Sequence, residues 1–259
     1  MKKWNPYQYE RFIKDRTQPA IDLANRLNVL SPQNILDLGC GPGNSTIILK
    51  EKFPYSKVIG ADNSDEMLEK ARSIYPEIEF IKLDANGDYR DLDERFDILF
   101  SNACIQWLPD HHRLLPKLFT LLKPDGVLAV QIPMQREHPV HQIINELIHK
   151  PAWNSMVTAR QYNNLSSEEY FDVLSSLSDE FEIWETTYCH RMPDYESIIE
   201  WYKGTGLRPY LEQLSKIDRE IFISDVLELL KQKYKVQENG EIVFRFPRLF
   251  FIVKNTKGR

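Results

Sequence analysis

The chain has 259 residues, a hydrophobic share of 42% and a formal net charge of −5. This length fits one large domain or one domain with a cap, and the lack of a basic excess disfavours a nucleic-acid partner. The three cysteines, Cys40, Cys104 and Cys189, form neither a disulfide framework nor a zinc spacing. We therefore expect a reducing, cytoplasmic compartment and no metal. Separately, we expect the chain to be a monomer. We expect no membrane segment either, because the sequence lacks a signal-peptide pattern and any run of about 18 apolar residues.

Strand-like and helix-like patterns alternate between residues 35 and 132. Strands are predicted at 34–38, 57–61, 78–83, 96–101 and 126–132, and helices at 45–53, 64–75 and 113–122. Pro124-Asp-Gly126 is a turn signal after the last helix. Strands separated by helices imply right-handed crossovers and a parallel sheet covered by helices on both faces. The sequence thus predicts a Rossmann-like α/β fold.

The pattern changes after Pro133. Residues 138–180 are predicted to be helical and irregular, with Pro139 and Pro151 as breakers, and 194–235 to be helical. Two further strands are predicted, at 181–188 and at 241–253 with an interruption at Pro247. We therefore predict a single domain over 1–259. Its core lies at 30–132, helical cap insertions lie at 133–180 and 190–240, and late strands at 181–189 and 241–254 complete the sheet.

A glycine-rich loop, Asp37-Leu-Gly39-Cys-Gly41-Pro-Gly43-Asn44-Ser-Thr46, lies between the first strand and the first helix of the core. Glycines there permit positive φ and let backbone amides approach a ligand, to which the helix N-terminus adds a positive dipole. A dinucleotide loop needs a third glycine at position 44 or 46, where this chain has Asn44 and Thr46. An NAD-dependent oxidoreductase is therefore disfavoured, and the missing Lys-Ser/Thr excludes a P-loop. An ordinary turn is the remaining alternative.

Carboxylates follow the next two strands. Asp62 ends the second strand, where its two acceptor oxygens suit ribose hydroxyls, although it could also cap the following helix. Asp84 follows the third strand, where it could accept a hydrogen bond from the exocyclic amine of adenine.

This combination resembles the class I S-adenosyl-L-methionine (SAM)-dependent methyltransferases. In that family the loop holds the methionine part of SAM, and the acidic residues after the second and third strands hold ribose and adenine. The resemblance implies cofactor contacts by Asp37, Gly39, Gly41, Gly43, Asn44, Asp62, Asn63, Met67, Asp84, Ala85 and Asn102. It also implies that Trp4, Tyr9 and Arg16 belong to an N-terminal segment that closes over SAM, unless that terminus is frayed.

Substrate class is suggested by the segments outside this core. Amine-methylating relatives often carry Asn/Asp-Pro-Pro-Tyr after the fourth strand, whereas this chain has Asn102-Ala-Cys-Ile105, which disfavours amine methylation of a nucleobase or glutamine. The flanks resemble the trans-aconitate 2-methyltransferase subfamily. The matching segments are Trp4-Asn-Pro6 with Tyr9, Arg16 and Pro19; Leu36–Thr46; Asn102–His111; Trp184–Pro193; Thr205–Pro209; and Glu238–Gly240 with Phe246–Phe250. The resemblance implies an O-methyltransferase that forms a monomethyl ester of a small polycarboxylic acid, most favourably trans-aconitate.

Several alternatives stay open. The stretch 135–165 departs from the subfamily pattern, so another small acid or a malonyl-carrier substrate is possible. A SAM-binding scaffold without turnover is a third reading, because an intact cofactor loop does not by itself require catalysis.

The chemistry of a carboxylate substrate sets the remaining expectations. A carboxylate is already ionised at neutral pH, so no general base is required. A substrate with several carboxylates needs cationic and hydrogen-bonding anchors, for which the planar fork of arginine is suited. The candidate substrate-binding residues are Trp107, Tyr188, His190, Arg208 and Arg248. Four of them have an alternative: a solvated surface charge for the two arginines, and a place in the core for Trp107 and His190.

Overall fold

The computed structural model describes residues 6–87, 89, 92, 95–134, 138–159, 163–203 and 206–256, with side chains from residue 15 onward. The helices are α1 (Pro6–Arg26), α2 (Asn44–Lys52), α3 (Asp65–Ile74), α4 (His111–Phe119), α5 (Pro139–Ile148), α6 (Ser167–Leu177), α7 (Tyr195–Lys203), α8 (Arg208–Leu211) and α9 (Lys216–Lys233). The strands are β1 (Asn34–Leu38), β2 (Lys57–Asp62), β3 (Glu79–Lys82), β4 (Phe96–Asn102), β5 (Leu122–Pro133), β6 (Phe181–Met192) and β7 (Ile242–Lys254).

The strands form one sheet in the order β3-β2-β1-β4-β5-β7-β6. Strand β1 pairs in parallel with both β2 and β4, and the parallel pairing continues to β3 and to β5. Ile35, Leu36 and Leu38 of β1 are fully buried, as expected for a parallel strand covered on both faces. The predicted parallel α/β sheet is confirmed.

The segment that follows α4 differs from the prediction. The helix ends at Phe119 and β5 already begins at Leu122, so the predicted turn Pro124-Asp-Gly126 lies inside a strand. The pairing with β4 shifts there, from Phe96 opposite Leu122 to Ile98 opposite Val127. Asp125 has a φ of 63°, so the turn signal produces an irregularity in the strand rather than its start.

Two prolines also act differently from the prediction. Pro139 begins α5 instead of breaking a helix, because the first helical position needs no N–H donor and favours the fixed φ of proline. Pro247 lies within β7, which continues through it. The carbonyl oxygen of Pro247 accepts a hydrogen bond from the N–H of Met134 at 3.0 Å, so this proline still takes part in backbone pairing as an acceptor.

The chain divides into two compact units. Unit 1 comprises residues 1–133, 163–186 and 249–259, and unit 2 comprises 134–162 and 187–248. The predicted cap insertion 133–180 is thus shared, because 163–180 belongs to unit 1. In the described part of the chain, no helix combines the length and apolar character that crossing a bilayer requires.

Candidate active site

The candidate cofactor site lies in unit 1, at the carboxyl ends of β1 and β4. These two strands are neighbours in the sheet, whereas the chain runs from β1 to β2 and β3 on the other side. The strand order therefore reverses between β1 and β4, and ligands of open α/β sheets bind outside the carboxyl ends of strands at such a point. The loop Gly39–Gly43 follows β1, and Ala103 follows β4.

The glycines of the loop have positive φ values and differ in what surrounds them. Gly39, Gly41 and Gly43 have φ values of 75°, 53° and 91°, in the left-handed region that favours glycine. A Cβ on Gly39 would collide with Sγ of Cys104, so the loops after β1 and β4 are in direct contact. Among the described residues, a Cβ on Gly41 would meet no atom within 4 Å. The backbone at Gly41 therefore faces open space, as a ligand cradle requires.

Asp62 at the end of β2 shapes this loop. Its Oδ2 accepts a hydrogen bond from the N–H of Gly41, and its Oδ1 accepts one from the N–H of Ser64, both at 2.9 Å. The helix-capping alternative for Asp62 does not apply to α3, because Ser64 caps that helix by accepting from the N–H of Met67. Each carboxylate oxygen keeps a further lone pair for a ligand hydroxyl.

Asp37, the last acidic residue of β1, is completely buried. Its Oδ2 accepts hydrogen bonds from the hydroxyls of Ser45 and Thr46, both at 2.6 Å. Its Oδ1 is buried and has no hydrogen-bond partner among the residues that the structure describes. Burial raises the pKa of Asp37 to about 6, opposed by the two hydroxyls and reinforced by the charge of Asp62. No contact with Asp37 was predicted for Ser45 or Thr46, although their place at the start of the helix after the loop was a usable signal.

Two thiols at the loop lie close to the carboxylates of Asp37 and Asp62. Burial raises the pKa of Cys40, and the negative charges of Asp37 and Asp62 raise it further. Burial also raises the pKa of Cys104 to about 12, again with Asp62 and Asp37 contributing. The site is therefore electronegative. An electronegative cradle with open space at Gly41 and a buried acceptor on Asp37 fits SAM, whose methionine part carries a sulfonium, an ammonium and a carboxylate group and is therefore positive overall.

The residues predicted to flank adenine lie around the ends of β2 and β3. Asn63, Met67 and Asp84 are exposed, and Ala85 is buried. Asp84 uses Oδ1 to accept from the N–H of Asn86 at 2.9 Å. Asn44 is exposed at the first position of α2.

Trp4 and the side chain of Tyr9 lie outside the described residues, and Arg16 is exposed on α1. The cofactor roles predicted for all three remain predictions.

The segment after β4 carries two buried amides. Oδ1 of Asn102 and Oε1 of Gln106 are both buried, and neither has a hydrogen-bond partner in the described part of the chain. Nε2 of Gln106 donates to the carbonyl oxygen of Ala103 at 2.7 Å. Trp107 ends the 3₁₀ turn Ile105–Trp107 and is 47% exposed, so the alternative that it packs in the core does not hold for its whole side chain.

Three of the predicted substrate residues come together in unit 2. The guanidinium carbon of Arg248 lies 4.7 Å from the ring centroid of Phe246 and 5.9 Å from that of Tyr188. The rings of Tyr188 and His190 are stacked, with centroids 6.2 Å apart. Arg248 is only 5% exposed. We refer to Tyr188, His190, Phe246 and Arg248 as the Arg248 cluster.

Arg208 differs from Arg248. Its side chain is 67% exposed, and its Nε donates to Oε1 of Glu212 at 2.7 Å. This is an i,i+4 surface ion pair, which contributes little to stability. The structure thus separates two arginines that the sequence presented as equivalent.

Two polar residues beside this cluster, His138 and Tyr202, were not predicted from the sequence. His138 is 1% exposed, and its Nε2 donates to the carbonyl oxygen of Arg245 at 2.8 Å. Its Nδ1 therefore accepts from the hydroxyl of Tyr202 at 2.9 Å. Burial lowers the pKa of His138 to about 4, and the positive charge of Arg248 lowers it further. His138 lies within the stretch 135–165, and no motif identified it.

Comparison with known proteins identifies the family. A family model described as "Methyltransferase domain" matches residues 35–126. The trans-aconitate 2-methyltransferase of Escherichia coli O157:H7 (strain EC4115 / EHEC) is 39% identical over 258 residues, which cover 99% of this chain and 100% of that protein.

Solved structures agree on the fold. The YcgJ protein of Bacillus subtilis covers 95% of this chain and 100% of its own at 20% identity, with a TM-score of 0.61. The match to coclaurine N-methyltransferase bound to N-methylheliamine and SAH covers 92% of this chain and 72% of that chain. The identity is 17% and the TM-score is 0.55. The class I methyltransferase fold and the use of SAM are confirmed. With a relative matched along the whole length of both chains, this protein belongs to the trans-aconitate 2-methyltransferase family.

Proposed function

We propose that this protein transfers a methyl group from SAM to a carboxylate of trans-aconitate and releases a monomethyl ester. Its similarity to trans-aconitate 2-methyltransferase extends over both compact units rather than over the cofactor core alone. This extent matters because the glycine loop recognises the methyl donor, whereas segments outside the core select the acceptor.

The observation that carries the choice of an acidic acceptor is the buried arginine of unit 2. A guanidinium is always charged, and an arginine that is only 5% exposed keeps that charge in a water-poor place. The pKa of His138 is lowered by burial and further by Arg248, so this histidine is neutral at pH 7 and Arg248 supplies the positive charge. An electropositive, aromatic-lined place suits a carboxylate, which the fork of arginine binds bidentately.

The remaining residues act by holding and orienting the reactants. When bound, SAM supplies an electrophilic methyl group on a positively charged sulfur. Asp37 and Asp62 provide the negative potential that favours this cation, and the open backbone at Gly41 gives it room. Because the acceptor carboxylate is already ionised at pH 7, the chain needs no general base, and catalysis follows from alignment and the exclusion of water.

The alternative acceptor is a small acid other than trans-aconitate. His138 lies in the stretch 135–165, which departs from the subfamily pattern, and it contacts Tyr202 and the backbone of Arg245 next to the Arg248 cluster. A change in that stretch would alter the shape of the acid's surroundings without removing Arg248. The chemistry would be the same, and only the preferred acid would differ.

We further propose a cytoplasmic monomer. The three cysteines all lie in the described residues and form no disulfide, which is usual in a reducing compartment. Sedimentation of the purified protein would show a single species of the chain mass, and a dimer would contradict this part of the proposal.

The test is a methyl-transfer assay with labelled SAM over a panel of di- and tricarboxylates. We expect trans-aconitate to give the highest kcat/KM and the product to be a monomethyl ester by mass spectrometry. A higher kcat/KM with another acid of the panel would support the alternative acceptor. Transfer to none of the acids, despite SAM binding, would support the scaffold reading.

A further inference from the structure

The segment Ala103–Leu108, which follows β4, begins with a residue under backbone strain. Ala103 has a φ of 52°, which is uncommon for a residue with a Cβ. Cys104 follows at once and contacts the backbone of Gly39 so closely that a Cβ there would collide with its Sγ. Strain of this kind persists only where the surroundings hold it in place. The question is therefore which groups hold this segment.

One such group is His111, which is 1% exposed at the start of α4. Its Nε2 lies 2.8 Å from the carbonyl oxygen of Ile105 and 3.1 Å from that of Leu108. Carbonyl oxygens can only accept, so Nε2 carries the proton. His111 thus ties both ends of the turn Ile105–Leu108 to α4. Burial lowers its pKa, which favours the neutral ring.

The other nitrogen of His111 is bound by Tyr170. Nδ1 of the neutral ring accepts a hydrogen bond from the hydroxyl of Tyr170 at 2.5 Å. Tyr170 lies on α6 and is fully buried. A capping box formed by Ser166 and Glu169 fixes the first turn of α6 beside it. The hydroxyl of Tyr170 therefore orients the imidazole and selects its tautomer.

We propose that His111 and Tyr170 are positioning residues for methyl transfer, which hold the strained segment Ala103–Leu108 against the glycine loop. Neither residue needs to touch SAM or the acceptor. The chain of contacts runs from Tyr170 to His111, to the carbonyl of Ile105, along the backbone to Cys104, and so to Gly39. Displacement by about 1 Å of groups that orient a reactant can lower a rate about 100-fold, so a device that fixes this loop has a direct effect on turnover.

Three substitutions each remove a different contact in the series from Tyr170 to Gly39. Tyr170→Phe removes only the hydroxyl and leaves the ring that packs against Phe251. His111→Gln keeps an N–H donor near the position of Nε2 but loses the acceptor for Tyr170. His111→Asn keeps a side-chain acceptor near the position of Nδ1 but loses the donor to Ile105. Tyr210→Phe is the matched control, because Tyr210 is a buried tyrosine of unit 2 that stacks on Phe222.

We expect His111→Asn to lower both kcat and SAM affinity by about tenfold. Tyr170→Phe and His111→Gln should each lower both quantities by about threefold to fivefold, as for the loss of one buried hydrogen bond. The KM for the acid should stay within about twofold of wild type, and the control should resemble wild type. SAM affinity, measured by calorimetry, tests the inference even if the acceptor proposed above is wrong. Wild-type kcat and SAM affinity in folded Tyr170→Phe and His111→Asn would overturn it, as would an equal loss in Tyr210→Phe.

Discussion

Oδ2 of Asp62 accepts a hydrogen bond from the N–H of Gly41 at 2.9 Å, so the carboxyl end of β2 fixes the turn that follows β1. The other oxygen of the same carboxylate binds the N–H of Ser64 at the start of α3. Asp62 therefore organises the loop, and its predicted contact with ribose stays a prediction. Loss of its carboxylate should affect the cofactor site through both roles.

Asp62→Ala should weaken SAM binding strongly while the fold survives. Hydrogen bonds to a charged group contribute about 1.5–3 kcal/mol each, so we expect a loss of affinity of roughly tenfold or more. Calorimetry of SAM binding measures this. Asp65→Ala is a suitable control, because Asp65 lies nearby on α3 and forms an exposed ion pair with Lys82. Equal SAM affinity in wild type and folded Asp62→Ala would restrict Asp62 to a structural role.

The protein should bind SAM and not NADH. The glycine loop has Asn44 and Thr46 where a dinucleotide loop requires glycine, and the negative potential around Asp37 and Asp62 opposes a pyrophosphate. Parallel calorimetric titrations with the two ligands provide the comparison. Tight NADH binding without SAM binding would contradict the assignment of the site.

The buried carboxyl of Asp37 should make stability depend on pH in an unusual direction. Its pKa is about 6 in the folded chain and near 3.8 otherwise, so the native state holds the extra proton between these values. Its contribution to stability is therefore greatest at low pH and is lost as the pH rises from about 4 through about 6. The loss is on the order of 3 kcal/mol. The free energy of unfolding of Asp37→Asn and of wild type can be measured in urea without SAM at pH 4.5 and pH 7.5. We expect the difference between the variant and wild type to favour the variant more at pH 7.5 than at pH 4.5. A difference that does not change with pH would contradict this.

SAM affinity should show the complementary pH dependence. A cationic ligand favours the ionised form of Asp37, so SAM should bind more tightly as the pH rises through about 6, where Asp37 loses its proton in the free protein. Asp37→Asn retains an oxygen acceptor for Ser45 and Thr46 but has no charge, so it should bind SAM more weakly at pH 7.5 and with a flatter pH profile. Calorimetry at several pH values tests this, and an unchanged profile in the variant would assign the titration to another group.

Arg248→Met should lower kcat/KM for the acid by about tenfold or more, because a paired carboxylate contact in a water-poor place contributes a few kcal/mol. SAM affinity should change little. Arg208→Ala is the matched control, since Arg208 is exposed and paired with Glu212, and we expect kcat/KM within about twofold of wild type. If Arg248→Met folds and keeps full activity, the cationic anchor lies elsewhere, and His190 and Arg16 are the next residues to substitute.

The sequence by itself determined the core of the fold and the place of the cofactor loop. Apolar strands that alternate with amphipathic helices allow few topologies, and the spacing of Asp37, Gly39, Gly41 and Gly43 is local, so both can be recognised along the chain. The positions of Asp62 and Asn102 follow from the same reasoning, because the carboxyl ends of parallel strands lie at one edge of the sheet.

Tertiary structure decided which polar side chains are buried and what they contact. Arg208 and Arg248 both lie among apolar neighbours in sequence, yet one forms a surface ion pair with Glu212 and the other lies between aromatic rings. His111 and Tyr170 are 59 residues apart, and no periodicity predicts that a hydroxyl on α6 meets an imidazole on α4. Burial and long-range hydrogen bonding depend on how elements pack, and that packing sets both the charge on Asp37 and the tautomer of His111.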